Sequence, residues 1–143
     1  MLFKFRVIDP GFSARDVARS VLAAANLAAG VLHVLIPAPF LGITPAWVPW
    51  PDYVIRLTGV AEVLGAIGLM TPRLRRAAGV GLALYAVCVY PANIKHAIDS
   101  AGDPDALLGW GYHAPRLAFQ PVIVWWALWA GRVIEWPFKR ERR

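Results

Sequence analysis

Four apolar segments, each long enough to cross a lipid bilayer, dominate this chain of 143 residues. They cover residues 14–36, 53–71, 77–98 and 113–136. A helix rises about 1.5 Å per residue, so about twenty residues span a hydrocarbon core of about 30 Å. The pattern predicts an all-α integral membrane protein with one transmembrane domain over residues 1–143. Since short links favour antiparallel neighbours, we expect a four-helix up-down-up-down bundle.

The composition supports a lipid environment. Hydrophobic residues make up 58% of the chain and charged residues only 17%, whereas soluble domains carry about 25% charged residues. The basic residues stand in clusters beside the apolar segments and are not interleaved with aromatic residues on one face. This arrangement is typical of membrane orientation and not of a nucleic-acid groove. We therefore expect the lipid bilayer, and no nucleic acid, as a partner.

The distribution of Lys and Arg predicts the orientation. Four lie in the N-terminal flank, three in the second connection and five from Arg132 onward, whereas the first connection has none and the third is acidic. Because cytoplasmic loops are enriched in Lys and Arg, both termini and the second connection should be cytoplasmic. Residues 1–13 and 137–143 would be cytoplasmic flanks. The location that follows is the bacterial inner (plasma) membrane, crossed several times.

Proline residues interrupt the apolar pattern at defined points. Five of them make the first connection an expected irregular loop: Pro37, Pro39, Pro45, Pro49 and Pro51. Pro91 and Pro121 lie inside the third and fourth segments. Each removes a backbone donor one turn after the carbonyl of Val87 or Leu117, so we expect both helices to be kinked there.

Every segment also carries polar residues on one helical face. Asn26 and His33 share a face of the first helix, and Asn93 and His96 share a face of the third. Because a charge facing lipid costs a few kcal/mol or more, these faces should turn inward and meet in the outer half of the bundle. The candidate ligand-binding residues are His33, Arg56, Glu62, Asn93, Arg116 and Gln120.

Other roles remain open for these residues. Glu62 with Arg56 or Arg116 could be a buried ion pair that fixes helix register, or it could bind ligand or handle protons. We expect Glu62 to face inward, within reach of an Arg, Asn, His or Gln side chain from another helix, with Arg116 or Gln120 as the first choice of partner. The histidine spacing matches no local metal motif, so no metal site is predicted. Cys88 is the single cysteine, which excludes a dithiol cycle within one chain, and we expect it to be a small buried hydrophobic residue.

The order of motifs resembles the DoxX-like family of small four-helix membrane proteins. The residues that carry the resemblance over positions 21–129 are Gly30-Val31-Leu32-His33, Pro37, Phe40, Ile43, Pro45, Pro49, Gly59, Glu62, Gly65, Pro72, Arg75, Tyr90-Pro91-Ala92-Asn93-Ile94, Arg116, Gln120-Pro121 and Trp125-Trp126. The family name is attached to subunits of a thiosulfate:quinone oxidoreductase and to partners of redox and sulfur-handling enzymes. The resemblance assigns no catalytic residue, and the missing cysteine pair departs from any thiol-relay member.

Two classes of function follow. The chain is either a non-catalytic subunit or accessory factor of a larger membrane complex, such as a redox complex, or a binder of a quinone-like or other small amphipathic ligand. In the second case Arg116, Gln120, His33 and Asn93 would hydrogen-bond the ligand and Glu62 would handle protons. Quinone is the one candidate cofactor, and a homo-oligomer is a further possible assembly. A transporter is a weaker hypothesis, because four helices would need a dimer. The sequence leaves open whether the protein is an enzyme.

Overall fold

The part of the chain that the structure describes is built from helices. A computed structural model describes residues 13–103 and 109–136, and these contain no strand. The helices are α1 (Ala14–Leu35), α2 (Ala38–Ile43), α3 (Pro51–Met70), α4 (Arg75–Gly102), α5 (Trp110–Ala118) and α6 (Gln120–Ala130). Three of them, α1, α3 and α4, are long and apolar enough to cross a membrane. The predicted flanks at residues 1–12 and 137–143 lie outside the described residues.

Local sequence explains where α1 begins and ends. The Ser13 side chain accepts a hydrogen bond from the backbone N–H of Asp16, and the Asp16 carboxylate accepts one from the backbone N–H of Ser13. This capping box satisfies two of the N–H groups that have no partner within the helix. At the other end the backbone of Ile36 leaves the helical conformation, as the following proline favours, and Pro37 begins the turn into α2.

The first connection is more ordered than predicted. We expected an irregular loop, but α2 forms within it, and α3 begins at Pro51 itself. The prolines explain both differences, because the first turn of a helix tolerates their missing N–H: Pro51 is the first residue of α3, and Pro37 and Pro39 flank the first residue of α2. Trp50 precedes α3 with a left-handed backbone (φ 45°).

The predicted fourth helix is two helices. A turn at Phe119 separates α5 from α6, and α6 ends at Ala130 and not at 136. Pro115 and Pro121 lie six residues apart and each removes a backbone donor, so the hydrogen-bond ladder is interrupted twice. The carbonyl of Leu117, which Pro121 leaves free, lies 3.5 Å from the donating hydroxyl of Tyr90. By contrast, α4 continues through Pro91, and the expected kink there stays a prediction.

Glycine residues set the closest contacts between the helices. α1 packs on α3, α3 on α4, α4 on α5 and α6, and α6 on α1. A Cβ atom at Gly30 would lie 2.5 Å from the Gly59 carbonyl oxygen, and one at Gly79 would lie 2.8 Å from the Ala127 carbonyl oxygen. The backbones therefore touch at these points, which is how helices in membranes gain van der Waals contact.

The interior differs between the two ends of the helices. A cluster of buried apolar residues joins the start of α1, the end of α3, the start of α4 and the end of α6: Leu22, Ala23, Ala66, Leu69, Leu82, Ala83, Ala127 and Ala130. The surface is apolar as well, since large side chains such as Leu35, Leu57 and Leu64 are more than half exposed. The opposite end is less tightly filled and contains the candidate site.

The contact between α1 and α3 generates the first prediction. Gly30→Ala should lower the free energy of unfolding by about 1 to 3 kcal/mol, because the new methyl group collides with backbone that has no room to shift. Gly81→Ala is the matched control, since a Cβ atom there meets nothing within 4 Å. Thermal melting of the purified variants in detergent measures the difference. Equal melting temperatures for both variants and the unmodified protein would contradict the close α1–α3 contact.

Candidate ligand-binding cavity

A cavity of about 770 Å³ lies between the helices and is lined by residues from all six of them. Its polar lining residues are Asn26, His33, Thr44, Thr58, Glu62, Tyr85, Asn93, Arg116 and Gln120. Most of the remaining lining is aliphatic or aromatic, including Phe40 and Trp126. Volumes of about 300 to 1,000 Å³ with few polar groups in an apolar wall are typical of small-molecule sites. The cavity has the size and chemistry to hold an amphipathic molecule.

One wall of the cavity is formed by Glu62 and His33. Glu62 on α3 is 5% exposed, and its Oε2 lies 2.6 Å from His33 Nδ1 on α1. Such a short contact is typical of hydrogen bonds that involve a charged group. The Phe40 ring covers the imidazole, with 3.9 Å between ring centroids. An imidazole and a carboxyl group from two helices thus form one polar unit in apolar surroundings.

The glycine contact positions this pair. A Cβ atom at Gly30 would lie 3.0 Å from the Cβ atom of Glu62, and a Cβ atom at Gly59 would lie 2.8 Å from the Cβ atom of His33. Gly30 of α1 thus lies against the Cβ atom of Glu62, and Gly59 of α3 lies against the Cβ atom of His33. The missing side chains let the two helices approach until imidazole and carboxylate meet.

Tyr85 on α4 belongs to the same wall and was absent from the sequence-based candidates. Its side chain interacts with both Glu62 and Thr58. Tyr85 lies about two turns before Ala92 and Asn93, on the face that already carried a predicted site residue. Extending the polar face of Asn93 toward the N-terminus of α4 would have found it, but we had treated the aromatic residue as part of the apolar span.

The opposite wall is a chain of hydrogen bonds between α4, α5 and α6. Arg116 Nη2 donates to Asn93 Oδ1 at 2.6 Å, Asn93 Nδ2 donates to Gln120 Oε1 at 3.3 Å, and Gln120 Nε2 donates to the Ala86 carbonyl. Arg116 Nη1 also lies 3.3 Å from His96 Nδ1. The break at Phe119 turns Arg116 and Gln120, polar residues of the two short helices, into the same cavity.

Five of the six candidate residues line this cavity, and Arg56 does not. The Arg56 guanidinium is exposed and donates to the Val34 carbonyl at 2.8 Å. Glu62 faces inward and has a polar partner from another helix, as expected. That partner is His33, so the first choice was wrong: Arg116 and Gln120 bond within the opposite wall. The α1–α3 glycine contact, which the polar pattern of the sequence does not reveal, decides which side chains are neighbours.

The structure also places Cys88 and the three histidines. Cys88 is exposed and contributes to the cavity lining, so the expectation of a buried hydrophobic residue was wrong. Within residues 13–103 and 109–136, no group of three or more His, Cys, Asp or Glu side chains could hold a metal ion. His33 lies against Glu62, while the rings of His96 and His113 contact each other at 4.7 Å.

The fold and the cavity define a small helical protein with membrane-length helices and a polar interior. The chain belongs to the family described as a domain of unknown function, DUF8561, whose model matches residues 22–131. That match includes every residue that lines the cavity. No match was found among curated proteins or solved structures. The family match makes no link to the DoxX-like family, so that resemblance stays a prediction.

The geometry around Glu62 generates the second prediction. Glu62→Ala should lower the free energy of unfolding by about 1 to 3 kcal/mol, because it leaves the imidazole of His33 without its acceptor. Glu62→Gln keeps an acceptor and should stay close to the unmodified protein. Asp52→Ala removes an exposed carboxylate from the same helix and should have a smaller effect than Glu62→Ala. Denaturation in detergent gives the ranking, and equal losses for Glu62→Ala and Asp52→Ala would exclude a structural role for the pair.

Proposed function

We propose that this protein is an inner-membrane four-helix bundle that binds a small amphipathic molecule, quinone-like or with another hydrogen-bonding head, in the cavity. The observation that carries the proposal is the convergence of His33, Glu62, Asn93, Arg116 and Gln120 on one cavity in a chain with an apolar surface. Polar groups inside membrane proteins are costly and mark functional sites more often than those of soluble proteins. Here they lie beside a space that is large enough for a ligand.

Contacts at the helix ends support the up-down-up-down order. Arg19 near the start of α1 donates to the Ala130 carbonyl at the end of α6, at 2.9 Å. Arg75 at the start of α4 donates to the Leu69 carbonyl near the end of α3, at 3.1 Å. Helices that begin and end beside each other in this way alternate in direction. We count the α5–α6 pair as the fourth member of the bundle.

The same contacts support the orientation with both termini in the cytoplasm. Arg19 and Arg75 lie at one end of the helices, and there Arg76 donates to the Arg132 carbonyl at 3.1 Å. Cations near the C-terminal end of a helix are favoured by its dipole. The basic end is thus also the end with the apolar cluster, and the positive-inside rule assigns it to the cytoplasm. The cavity then lies in the outer half of the bilayer.

The two walls of the cavity offer different functional groups to a ligand. The N–H groups of Arg116, Asn93 and Gln120 can donate to carbonyl oxygens such as those of a quinone. The pair of His33 and Glu62 offers groups that exchange protons in a low-dielectric site. The aliphatic and aromatic lining between the walls would contact the ring or tail.

A surface groove favours a second role as a non-catalytic subunit or accessory factor of a larger membrane complex. It is shallow, measures about 620 Å³ and is lined by Arg76, Ala77, Val80, Gly81, Leu84 and Val133. A Cβ atom at Gly81 would meet no neighbour within 4 Å, so the α4 face is open there. Small residues on an open helix face let another helix approach closely. This role is compatible with ligand binding and with the DoxX-like resemblance.

Binding can be tested through Cys88, which is exposed, lines the cavity and is the single cysteine of the chain. Purified protein in dodecyl maltoside would be alkylated with N-ethylmaleimide, with or without decylubiquinone, dodecanol or dodecanoate. We expect at least one of these molecules to slow alkylation several-fold because it covers the thiol. Intact-mass spectrometry measures the modified fraction over time.

The matched control is the double variant Cys88→Ala/Val87→Cys. Val87 lies at the same depth of α4, is 55% exposed and does not line the cavity. Its alkylation should be unaffected by the three molecules, which separates occupancy of the cavity from a general effect on the micelle. If none of them slows alkylation of Cys88, the proposed function is wrong.

A further inference from the structure

The direction of every hydrogen bond along the wall of Arg116 is fixed by chemistry. A guanidinium can only donate, so the oxygen of Asn93 must face Arg116 and its amide nitrogen must face Gln120. The oxygen of Gln120 then faces Asn93, and its nitrogen faces the Ala86 carbonyl, which can only accept. Because both ends of the chain have one possible role, neither amide can be turned round without losing bonds.

This polarity determines what the wall can offer to a ligand. The side-chain oxygens of Asn93 and Gln120 are already used as acceptors within the wall. Each amide group keeps one N–H donor for a ligand. Arg116 has five N–H donors, of which its bonds to Asn93 and His96 use two. A head group with acceptor oxygens fits this wall best, because Arg116 can only donate and each amide oxygen already accepts one bond within the wall.

The charges of the two walls are balanced differently. Glu62 has His33 within salt-bridge distance, but among residues 13–103 and 109–136 no carboxylate lies that close to Arg116. His96 accepts from Arg116 through Nδ1, so it orients the guanidinium and adds no negative charge. A partly buried cation with neutral partners is unfavourable in a low-dielectric cavity. A ligand with one negative charge would balance it.

We propose that the cavity selects amphipathic molecules whose head carries a single negative charge on oxygen, such as a long-chain carboxylate, and that Arg116 recognises this charge. The inference rests on the proposed function, because it names the ligand class of the same cavity. It goes further by ranking an acidic head above a neutral quinone or alcohol. The carboxylate would accept hydrogen bonds from Arg116 and from the free amide N–H groups of Asn93 and Gln120.

The test compares dodecanoate with dodecanol, which have equal chain length and differ in charge, at pH 8 in the alkylation assay on Cys88. The concentration that halves the alkylation rate should be at least about tenfold lower for dodecanoate, which corresponds to about 1.4 kcal/mol. In Arg116→Gln this preference should fall to about one, because the loss of the positive charge weakens protection by dodecanoate far more than protection by dodecanol. Comparing the ratio between variants removes differences in how the two molecules enter the micelle.

Two further variants complete the design. Arg56→Gln also removes one arginine, but this residue lies outside the cavity, so the preference for dodecanoate should remain tenfold. Arg116→Lys keeps the positive charge and should retain a preference of at least about threefold, and it replaces Arg116→Gln if that variant does not fold. If dodecanol or decylubiquinone protects the unmodified protein as well as dodecanoate does, the inference is overturned and the proposed function stands. An unchanged preference in Arg116→Gln overturns it too.

Discussion

A carboxyl group in the middle of an apolar helix needs a polar partner, and the arrangement of α1 and α3 depends on meeting this requirement. Glu62 has almost no exposed surface, and an isolated charge there would be strongly disfavoured. His33 on the neighbouring helix is the polar partner, and its Nδ1 lies 2.6 Å from Glu62 Oε2. Gly30 and Gly59 make that distance possible, because any larger side chain would hold the backbones apart. The closest helix contact and the most buried acid are therefore one structural unit.

Elsewhere in the interior, polar groups also form hydrogen bonds between helices. At the basic end, arginine side chains donate to carbonyls at the ends of neighbouring helices, and small apolar residues fill the space. At the other end the break at Phe119 divides the last apolar segment, and the polar residues around it bond to α4. The cavity lies there, and polar side chains from several helices face it among aliphatic and aromatic residues. The apolar cluster thus holds the helices together at the basic end, and the cavity lies toward the other end.

Much of this architecture could be predicted from the sequence. The expected segments 14–36, 53–71 and 77–98 correspond to Ala14–Leu35, Pro51–Met70 and Arg75–Gly102, because long apolar runs bounded by polar or proline residues define helices well. The fourth segment has equal apolarity, but its two prolines divide it, and we had considered only Pro121. Helix α2 was missed for a related reason: we interpreted its prolines as helix breakers, but proline can also start a helix.

The sequence predicted which residues line the cavity better than it predicted which of these residues contact each other. Helical periodicity selects the inward face of each helix, and this found His33, Glu62, Asn93, Arg116 and Gln120. Periodicity says nothing about which helices are neighbours or how closely they approach, so the partner of Glu62 was wrong. Arg56 was included because it lies near Glu62 in the sequence, but its long side chain extends to the surface and to Val34.

The most direct test of the account is a crystal structure of the purified protein grown in a lipidic phase. We expect elongated density in the cavity, with its polar end at Arg116 and its apolar part along Phe40 and Trp126, and Glu62 bonded to His33. A cavity closed by its own side chains, or Glu62 facing outward without a polar partner, would contradict the claim that the polar interior of this protein is a binding site.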